Sequence, residues 1–304
     1  MDILLLYFSG SGHTARCASY LQKSFEKLGH QVASRNYRAG ADLAIDIDRW
    51  DLIGFGYPIH AFNVPEAFHR FIKSLPSQKT PYFFFKVSGE PFHFNDASSY
   101  PSYKVLKKKG YELIGEKHFL MPYNIMFRYP DELAKQMDLY LEALCDAFAI
   151  DLCNEEAEKI PYRFGKKVLS FLLRIEWIAP KVNAPFVRFK KKKCTECGLC
   201  EKRCPMQAIA KKKNGRYRVM ASRCAMCMRC TMNCPSDAIS FGIMNPWKVN
   251  GPYRFDELRE NPDIDPHFIH EGMKGYFRHF LPYFRKQDQI LKEKGIPNPM
   301  DHGK

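Results

Sequence analysis

Eight of the eleven cysteines in this 304-residue sequence fall into two runs with the same spacing, and these runs constrain the fold more than any other feature. Residues 194–205 read CTECGLCEKRCP, and residues 224–235 read CAMCMRCTMNCP. Each run follows the pattern C-x2-C-x2-C-x3-C-P. Three thiols packed this closely suit three corners of one iron–sulfur cubane, and the Cys-Pro ending is typical of such runs.

Disulfides and zinc are the alternatives for these thiols. A reducing cytosol would not keep disulfides, and the opening MDILLLYF lacks the basic region of a secretory signal. A structural zinc site also takes four cysteines, but its two C-x2-C pairs are usually separated by a long loop. Iron–sulfur ligation is therefore favoured, and it indicates a reducing cytoplasm and a low-oxygen host. The remaining Cys17, Cys145 and Cys153 are interpreted as buried small apolar side chains.

Residues 190–242, which contain both runs, resemble the two-cluster bacterial ferredoxins. In that family the fourth cysteine of each run ligates the other cluster. The resemblance implies two [4Fe-4S] clusters, with Cys194, Cys197, Cys200 and Cys234 as ligands of the first, and Cys224, Cys227, Cys230 and Cys204 as ligands of the second.

The same region contains an internal repeat. The similar segments MQAIA (206–210) and SDAIS (236–240) follow the two Cys-Pro pairs, so a little over half of a small domain is used twice. The link AKKKNGRY (210–217) predicts a hairpin that turns at Asn214-Gly215. We therefore expect a small α+β two-cluster ferredoxin domain.

The first half of the sequence alternates between two kinds of pattern. Short apolar runs predict buried parallel strands at residues 2–8, 31–37, 51–58, 81–89 and 111–121. Helical patterns predict helices at residues 15–29, 64–75, 98–110 and 131–148. Strands that alternate with helices over about 150 residues indicate an α/β doubly wound parallel sheet.

Three turns follow predicted strands, at the sheet edge where such folds bind ligands. They are SGSGHT (9–14), YPIHAFN (57–63) and SGE (88–90). SGSGHT is neither a dinucleotide G-x-G-x-x-G motif nor a Walker loop, because the lysine is missing. Its hydroxyls and converging backbone N–H groups can hold a phosphate dianion at a helix N-terminus, although an ordinary strand–helix turn has similar residues.

Together these turns resemble those of the flavodoxins over residues 1 to about 150, and the whole sequence resembles the flavodoxin–ferredoxin fusion proteins of anaerobic bacteria and archaea. The resemblance implies FMN as the cofactor of the first half. By position in the family's loops, the phosphate would lie against Ser9, Gly10, Ser11, Gly12, His13 and Thr14. One side of the flavin ring would lie along Gly56, Tyr57, Pro58, Ile59, His60, Ala61 and Phe62, and the other side along Ser88, Gly89 and Glu90. Either Tyr57 or His60 would stack on the ring.

Two features depart from the flavodoxin pattern. His13 stands where an asparagine is more usual, and the acidic surface of flavodoxins is absent, which implies a different partner. The alternative is a flavodoxin fold that has lost its flavin.

The chain is basic, with a formal charge of +14 when the cysteines are counted as neutral thiols. Two oxidised clusters would remove roughly four charges and a flavin phosphate about two more, which leaves about +8. No helix-turn-helix, zinc finger or RNA-binding motif accompanies this surplus, so nucleic acid is not the expected partner. Lys190–Lys193 and Lys211–Lys213 would favour reduced clusters and attract an acidic redox protein, or they form a solvated charge run.

The sequence divides into four predicted parts. These are a flavodoxin-like FMN-binding domain (1–150), a linker with an amphipathic helix (151–189), the two-cluster domain (190–242) and a basic, aromatic extension (243–304). The linker segment 164–180 predicts one helix with Val168, Phe171, Leu172, Ile175 and Ile178 on one face. This face is expected to pack between the domains, and peripheral membrane contact is the alternative. Residues 275–286 predict a helix that covers a cluster, or a partner site.

These assignments predict a cytoplasmic electron-transfer protein, because clusters carry one electron each and a flavin carries one or two. No run of 18 apolar residues is present, so no transmembrane helix is expected. The alternative function is an FMN-dependent reductase of a small acceptor, such as a quinone or another flavin, with the clusters as electron input. A sensor of oxygen or iron is a third class, and the missing DNA-binding motif counts against it.

Overall fold

The computed structural model describes residues 1–40 and 45–301. Its first half contains five strands: β1 (Asp2–Tyr7), β2 (Gln31–Asn36), β3 (Leu52–Pro58), β4 (Pro81–Ser88) and β5 (Glu112–Leu120). They form one sheet in the order β2-β1-β3-β4-β5, and all neighbouring strands are parallel. The chain changes winding direction between β1 and β3, so the carboxyl ends of these two neighbours flank the switch point of the sheet.

Helices cover this sheet on both faces. They are α1 (His13–Lys27), α2 (Glu66–Ser74), α3 (Tyr100–Lys108) and α4 (Asp131–Cys153). Leu5 and Phe83 belong to the core layer shared with α1 and α4, whereas Leu4 and Phe84, one residue away, belong to the layer shared with α2 and α3. The doubly wound α/β fold predicted from the sequence is confirmed. We call residues 2–153 the sheet domain, within the described part of the chain.

The ends of these elements differ from the sequence predictions by a few residues. The largest difference is in α4, which ends at Cys153 instead of residue 148 and so runs past the expected domain end at residue 150. Ala149 and Leu152 are buried and continue the apolar side of this helix. Packing against the sheet therefore extends α4 beyond the residues that its pattern predicted.

The linker forms two short helices, α5 (Phe164–Leu172) and α6 (Ala179–Asn183), with a 3-10 turn at Leu173–Trp177 between them. The prediction of one continuous helix is therefore wrong. Pro180 lies in the first turn of α6, where its missing N–H costs nothing, and in a continuous helix it would interrupt the hydrogen bonds.

The apolar side of the linker faces solvent, and the expectation that it packs between the domains is also wrong. Val168, Phe171, Leu172 and Ile178 are 39–64% exposed, and the Ile175 side chain lies outside the described residues. The side of α5 that meets the sheet domain carries Ser170 instead, because its hydroxyl donates to Asn63 Oδ1 at 2.7 Å. No helix in the described ranges combines the length and hydrophobicity that crossing a bilayer requires.

The region that contains both cysteine runs has four short strands and two one-turn helices. They are β6 (Val187–Phe189), α7 (Leu199–Lys202), β7 (Ile209–Lys211), β8 (Tyr217–Val219), α8 (Arg229–Met232) and β9 (Ile239–Phe241). β6 pairs with β9 and β7 pairs with β8, both antiparallel. The predicted hairpin is present, with Gly215 at φ 79° in its turn. Since β6 lies in the expected linker, we call residues 187–241 the cysteine domain.

The internal repeat is visible in the backbone of the cysteine domain. Three pairs of residues that are 30 positions apart share the left-handed conformation, which is rare outside glycine. They are Glu196 and Met226 (φ 55° and 50°), Gly198 and Met228 (70° and 59°), and Gln207 and Asp237 (48° and 46°). The two cysteine runs therefore follow the same path, and α7 and α8 occupy equivalent places.

The C-terminal extension packs on the sheet domain through α9 (Phe255–Glu260) and α10 (Leu281–Glu293). The Tyr140 and Phe284 rings lie 4.7 Å apart, and the Tyr140 hydroxyl donates to Asp288 at 2.5 Å. The segment 275–286 is thus helical as predicted, but it covers α4 and not a cluster.

A short stretch of the extension joins the two domains. The amide of Met126 donates to the Trp247 carbonyl at 2.8 Å, and the amide of Gly251 donates to the Met232 carbonyl at 3.1 Å. Residues 247–251 therefore lie between a loop of the sheet domain and α8 of the cysteine domain.

Candidate cofactor sites

The cysteine domain contains two cavities, and each is lined by four of the predicted ligands. The first cavity is lined by Cys194, Cys197, Cys200 and Cys234. Phe189, Tyr217 and Ile239 supply part of its apolar wall. Three cysteines of the first run thus meet the last cysteine of the second run.

The second cavity has the complementary set. It is lined by Cys224, Cys227, Cys230 and Cys204. Met206, Val219 and Phe241 are among its apolar neighbours. Burial raises the pKa of the Cys227 thiol to about 12 and that of Cys224 to about 11. A bound cation reverses this effect, because it stabilises the thiolate.

The surroundings of both cavities fit an iron–sulfur cluster. The thiols surround a space, and within the described residues no three Cys, His, Asp or Glu side chains converge as they would on a single ion. Backbone amides point at sulfur in equivalent places, since Ala208 N–H donates to Cys204 Sγ and Ala238 N–H donates to Cys234 Sγ, both at 3.2 Å. Arg229 lines the second cavity with a buried Nε that has no partner among the described residues. A cluster sulfur would accept from this N–H.

The turn after β1 fits the phosphate group of a cofactor. Gly12, at φ 112°, is the N-cap of α1 and supplies no side-chain cap, while Ser9 Oγ accepts the amide of Ala15 in the first turn at 3.2 Å. The first turn of α1 also carries no acidic residue. Ser9 and Thr14 are buried and Ser11 is half-exposed, so Ser11 and the amides border an open cleft. These donors are neutral and converge at the positive end of a helix dipole.

Charged side chains beside this turn are committed elsewhere. His13 is packed against the Tyr253 and Phe255 rings, and burial lowers its pKa to about 4, so it is neutral at pH 7. The Arg16 guanidinium binds the buried Asp138 and also Asp256 at 2.8 Å. The phosphate would therefore be held by hydroxyl and amide groups.

The same turn contacts the second cysteine cavity. A Cβ atom added to Gly10 would lie 2.5 Å from Cys227 Cβ and 2.8 Å from the Cys227 carbonyl oxygen. On the other side, Arg229 Nη1 donates to the Gly10 carbonyl at 2.6 Å. The two candidate cofactor sites therefore meet at a close contact that only glycine permits.

The residues predicted for one side of the flavin ring fall into two groups, one buried in β3 and the other in the turn at its end. Gly56 and Tyr57 lie in the buried strand, and the Tyr57 side chain is fully buried beside Phe68 and Phe84. Tyr57 therefore cannot stack on a flavin. Pro58, Ile59, His60 and Phe62 are half-exposed and Ala61 is exposed, in a turn closed by hydrogen bonds between the His60 and Asn63 backbones. Burial lowers the pKa of His60 to about 4, so its ring is neutral.

The loop after β4 is held by side chains that the sequence analysis did not single out. Ser88 Oγ hydrogen-bonds to His118 Nε2 at 2.7 Å, and Tyr129 donates to the Gly89 carbonyl at 2.7 Å. Glu90 accepts hydrogen bonds from Tyr123 and Asn95. His118 is neutral because burial lowers its pKa to about 3.

In the sequence, these partners are marked only by their position in or just after the last predicted strand. His118 lies on β5 opposite Lys86 of β4, and Tyr123 and Tyr129 follow the end of β5. They come next to the loop because β4 and β5 are parallel neighbours, a fact that the sequence pattern left unspecified.

Two features near this loop fit a ring with polar edges. The buried Asn95 Oδ1 accepts no hydrogen bond from any described residue, so an acceptor is free beside Ser88 and Glu90. Phe62 and Phe94 meet edge to face at 6.1 Å and join the two loops. Phe94 is 54% exposed.

The three cysteines outside the two runs are not part of these sites. Cys17 and Cys145 are fully buried, with their sulfur atoms 4.0 Å apart. Cys153 is half-buried at the end of α4, and its sulfur lies 3.2 Å from His30 Nε2.

Comparisons with known proteins agree with this division of the chain. A family model described as a flavodoxin domain matches residues 4–108, and one described as a 4Fe-4S dicluster domain matches residues 193–239. Among solved structures, flavodoxin 2 from Bacillus cereus is 21% identical and covers 51% of this chain and 99% of its own (TM-score 0.40). The flavodoxin of Streptococcus pneumonia is 15% identical with the same coverage of both chains (TM-score 0.38). No curated protein matches the chain.

The family matches and the described architecture lead to one identification. The parallel sheet carries its loops at the carboxyl ends of β1, β3 and β4, and the duplicated cysteine runs follow in a small domain with two antiparallel sheets. The chain is a fusion of an N-terminal flavodoxin domain with a C-terminal ferredoxin-type 4Fe-4S dicluster domain.

Proposed function

We propose that this chain passes electrons between two [4Fe-4S] clusters and one FMN, and on to a protein redox partner. The observation that carries this proposal is the contact of Gly10, in the phosphate turn, with Cys227 of the second cavity. Bound FMN takes one or two electrons and each cluster takes one, so such a protein links one-electron and two-electron partners.

The proposed ligands of the clusters are the two cavity-lining sets. Cys194, Cys197, Cys200 and Cys234 would hold the first cluster. Cys224, Cys227, Cys230 and Cys204 would hold the second. The exchange of the fourth cysteine between the runs is supported by the lining of each cavity.

The proposed FMN site uses the three turns at the sheet edge. Ser9–Thr14 would bind the phosphate through amide and hydroxyl donors, with Gly12 free of neighbours within 4 Å of a Cβ position. Pro58–Phe62 and Ser88–Glu90 would flank the ring. His118, Tyr123 and Tyr129 fix the second of these loops and act as positioning residues.

The two cavities differ in access, which supports an order for their use. Cys197 of the first set is exposed, and the exposed Lys190–Lys193 run ends directly before Cys194. The second set lies against the phosphate turn. A soluble redox partner would therefore dock at the first cavity.

Anaerobic purification followed by iron, sulfide and flavin analysis tests the proposal. Two clusters require about eight iron and eight sulfide per chain. A protein that holds only zinc and lacks visible absorption would sink the cluster assignment, and failure to contain or take up FMN would sink the flavin assignment.

A matched pair of variants tests the phosphate turn. Ser11→Ala removes one hydroxyl and should leave FMN binding within about tenfold of wild type. Gly12→Val places a branched side chain at φ 112° and should abolish binding. Equal FMN retention by both variants would place the phosphate elsewhere.

A reductase of a small aromatic acceptor is the second candidate function. The exposed Phe94 and the neighbouring Phe62, at the tips of the two ring loops, favour it, because an exposed aromatic edge suits a planar acceptor. Turnover with a soluble quinone, without any partner protein, would support this candidate. Turnover only with a redox protein supports the first.

A further inference from the structure

We propose that the outward side of the linker binds the surface of an anionic phospholipid bilayer. The surface, which we call the apolar face, consists of Phe164, Val168, Phe171, Leu172, Ile178, Val182, Phe186, Ile243 and Trp247. Each of these side chains is between 39% and 81% exposed.

The spacing of these residues gathers them into stripes. Phe164, Val168, Phe171 and Leu172 stand at i, i+4, i+7 and i+8 along α5, which places them on one side of that helix. Ile178, Val182 and Phe186 recur every fourth residue through the short turns that follow.

Residues 243–247 lie beside the second stripe. Asn183 Oδ1 accepts the amide of Ile243 at 2.9 Å. A Cβ atom on Gly242 would be 3.0 Å from Phe186 Cβ, so the two backbones are in contact there. Ile243 and Trp247 thus extend the stripe that ends at Phe186.

Polar bonds fix the outward orientation of α5. Ser170 donates to Asn63 Oδ1 at 2.7 Å, and Asn63 Nδ2 donates back to the Ser170 carbonyl at 2.9 Å. Lys166, four residues earlier, pairs with Asp96. Turning the apolar stripe inward would break these buried bonds. The helix is therefore held with its polar side inside and its apolar side in water, which is costly without a partner.

The charges around the apolar face select an anionic surface. Residues 159–193 contain eleven Lys and Arg residues and one acidic residue, Glu176. Lys159, Arg163, Lys181 and Arg188 are exposed within this segment. Basic residues beside exposed Phe and Trp side chains are typical of helices that lie in a bilayer interface. A second copy of the chain, paired symmetrically, would bring the same basic residues together and be repelled.

Vesicle co-sedimentation of the full-length holoprotein tests the proposal. We expect binding to vesicles of phosphatidylcholine mixed with phosphatidylglycerol, weak binding to pure phosphatidylcholine, and loss of the difference at high salt. No electron transfer is measured, so the result is independent of the proposed redox function.

Two leucines provide a matched pair of variants. Leu172→Glu places a charge in the apolar face, and Leu28→Glu makes the same change at a leucine that is 42% exposed on the sheet domain. Leu172→Glu should lower vesicle affinity at least about tenfold, because it removes an apolar side chain that would enter the bilayer interface and adds a charge. Leu28→Glu should bind like wild type. Lys181→Gln and Arg188→Gln should each lower affinity for anionic vesicles about fivefold.

Iron content and circular dichroism show that each variant is folded. Failure of the wild type to sediment with anionic vesicles at low salt would overturn the proposal, as would equal binding by Leu172→Glu. A wild-type dimer that Leu172→Glu dissociates, without vesicle binding, would assign the face to a second copy instead.

Discussion

The two cysteine cavities have nearly the same backbone and very different surroundings. Three left-handed residues recur at an offset of 30, and an amide points at the fourth cysteine of each run. The first cavity, however, has an exposed cysteine and a lysine run at its edge. The second lies against Gly10 of the flavodoxin domain and has Arg229 in its wall.

The difference shows how a duplicated motif acquires two roles. The spacing of the cysteines sets which thiols meet, and it does so equally in both copies. Residues other than the cysteines then make the two runs different. Arg229, for example, stands 30 positions after Leu199, which is its equivalent in the first run. The contact with the phosphate turn described above is made by Cys227 and Arg229 of the second run.

Replacing the fourth cysteine of either run gives the largest expected effect. Cys204→Ala should remove the cluster whose other ligands begin at Cys224, and Cys234→Ala should remove the one that begins at Cys194. Each variant should lose about four of eight iron atoms, because a cluster needs four thiolates. The two remaining clusters should differ in electron paramagnetic resonance spectra. Identical residual spectra would show that the cavities are not lined as described.

Adding a side chain at the tight contact between the two domains should have the next largest effect. Gly10→Ala would place a Cβ atom 2.5 Å from Cys227 Cβ, and the neighbouring backbone cannot yield easily. Overpacking of this kind costs about 1–3 kcal/mol, so thermal unfolding should begin several degrees lower and the second cluster should be lost first. Gly165→Ala is the matched control, because its Cβ would meet nothing within 4 Å. Equal thermal stability of the two variants would mean that the contact is not close in solution.

Replacing Arg229 by the residue at the equivalent position of the first run should shift the reduction potential of the second cluster. Arg229→Leu introduces the residue of the equivalent position in the first run and removes both the Nη1 bond to Gly10 and the half-buried cation. A lost cation disfavours the reduced, more negative cluster, so the potential of the second cluster should fall. A charge-assisted hydrogen bond worth about 1.4 kcal/mol corresponds to about 60 mV for one electron. Redox titration should show this shift for one cluster, and an equal shift of both would contradict the asymmetry.

Much of this comparison could be predicted from the sequence, because the cysteine spacing and the strand pattern are local. The three strand-end loops lie at one edge of a parallel sheet, so the phosphate turn and the ring loops could be placed together. Tyr57 was assigned to the ring edge by resemblance, but its strand position points it into the core beside Phe68. The resemblance to the family's loops identifies the segment that lies near the ring. The alternation of side chains along the strand then decides which of them point into the core and which do not.

What could not be predicted depends on contacts far apart in the chain. The inward side of α5 is set by Asn63, 107 residues before Ser170, so a helical pattern alone suggested the opposite side. The support of the Ser88–Glu90 loop by His118 and Tyr129 depends on which strand lies next to β4. The packing of Gly10 on Cys227 joins residues 217 positions apart and has no local signal.

The smallest expected effect concerns the lysines beside the first cavity. Changing Lys190–Lys193 to glutamine should slow reduction by an acidic redox protein several-fold at low ionic strength, since exposed charges mainly accelerate association. Salt should bring the variant and wild type together, because the interaction is screened over about 8–10 Å. The control changes Lys73, Lys104, Lys107 and Lys108, which are exposed on α2 and α3 of the flavodoxin domain, and so removes the same charge far from the cysteine runs in sequence. Stopped-flow rates at several salt concentrations, with cluster content verified, measure the effect. If both variants slow equally, net charge alone attracts the partner, and if neither slows, the lysines are solvated surface and the exposed side of the first cavity is not an electrostatic docking site.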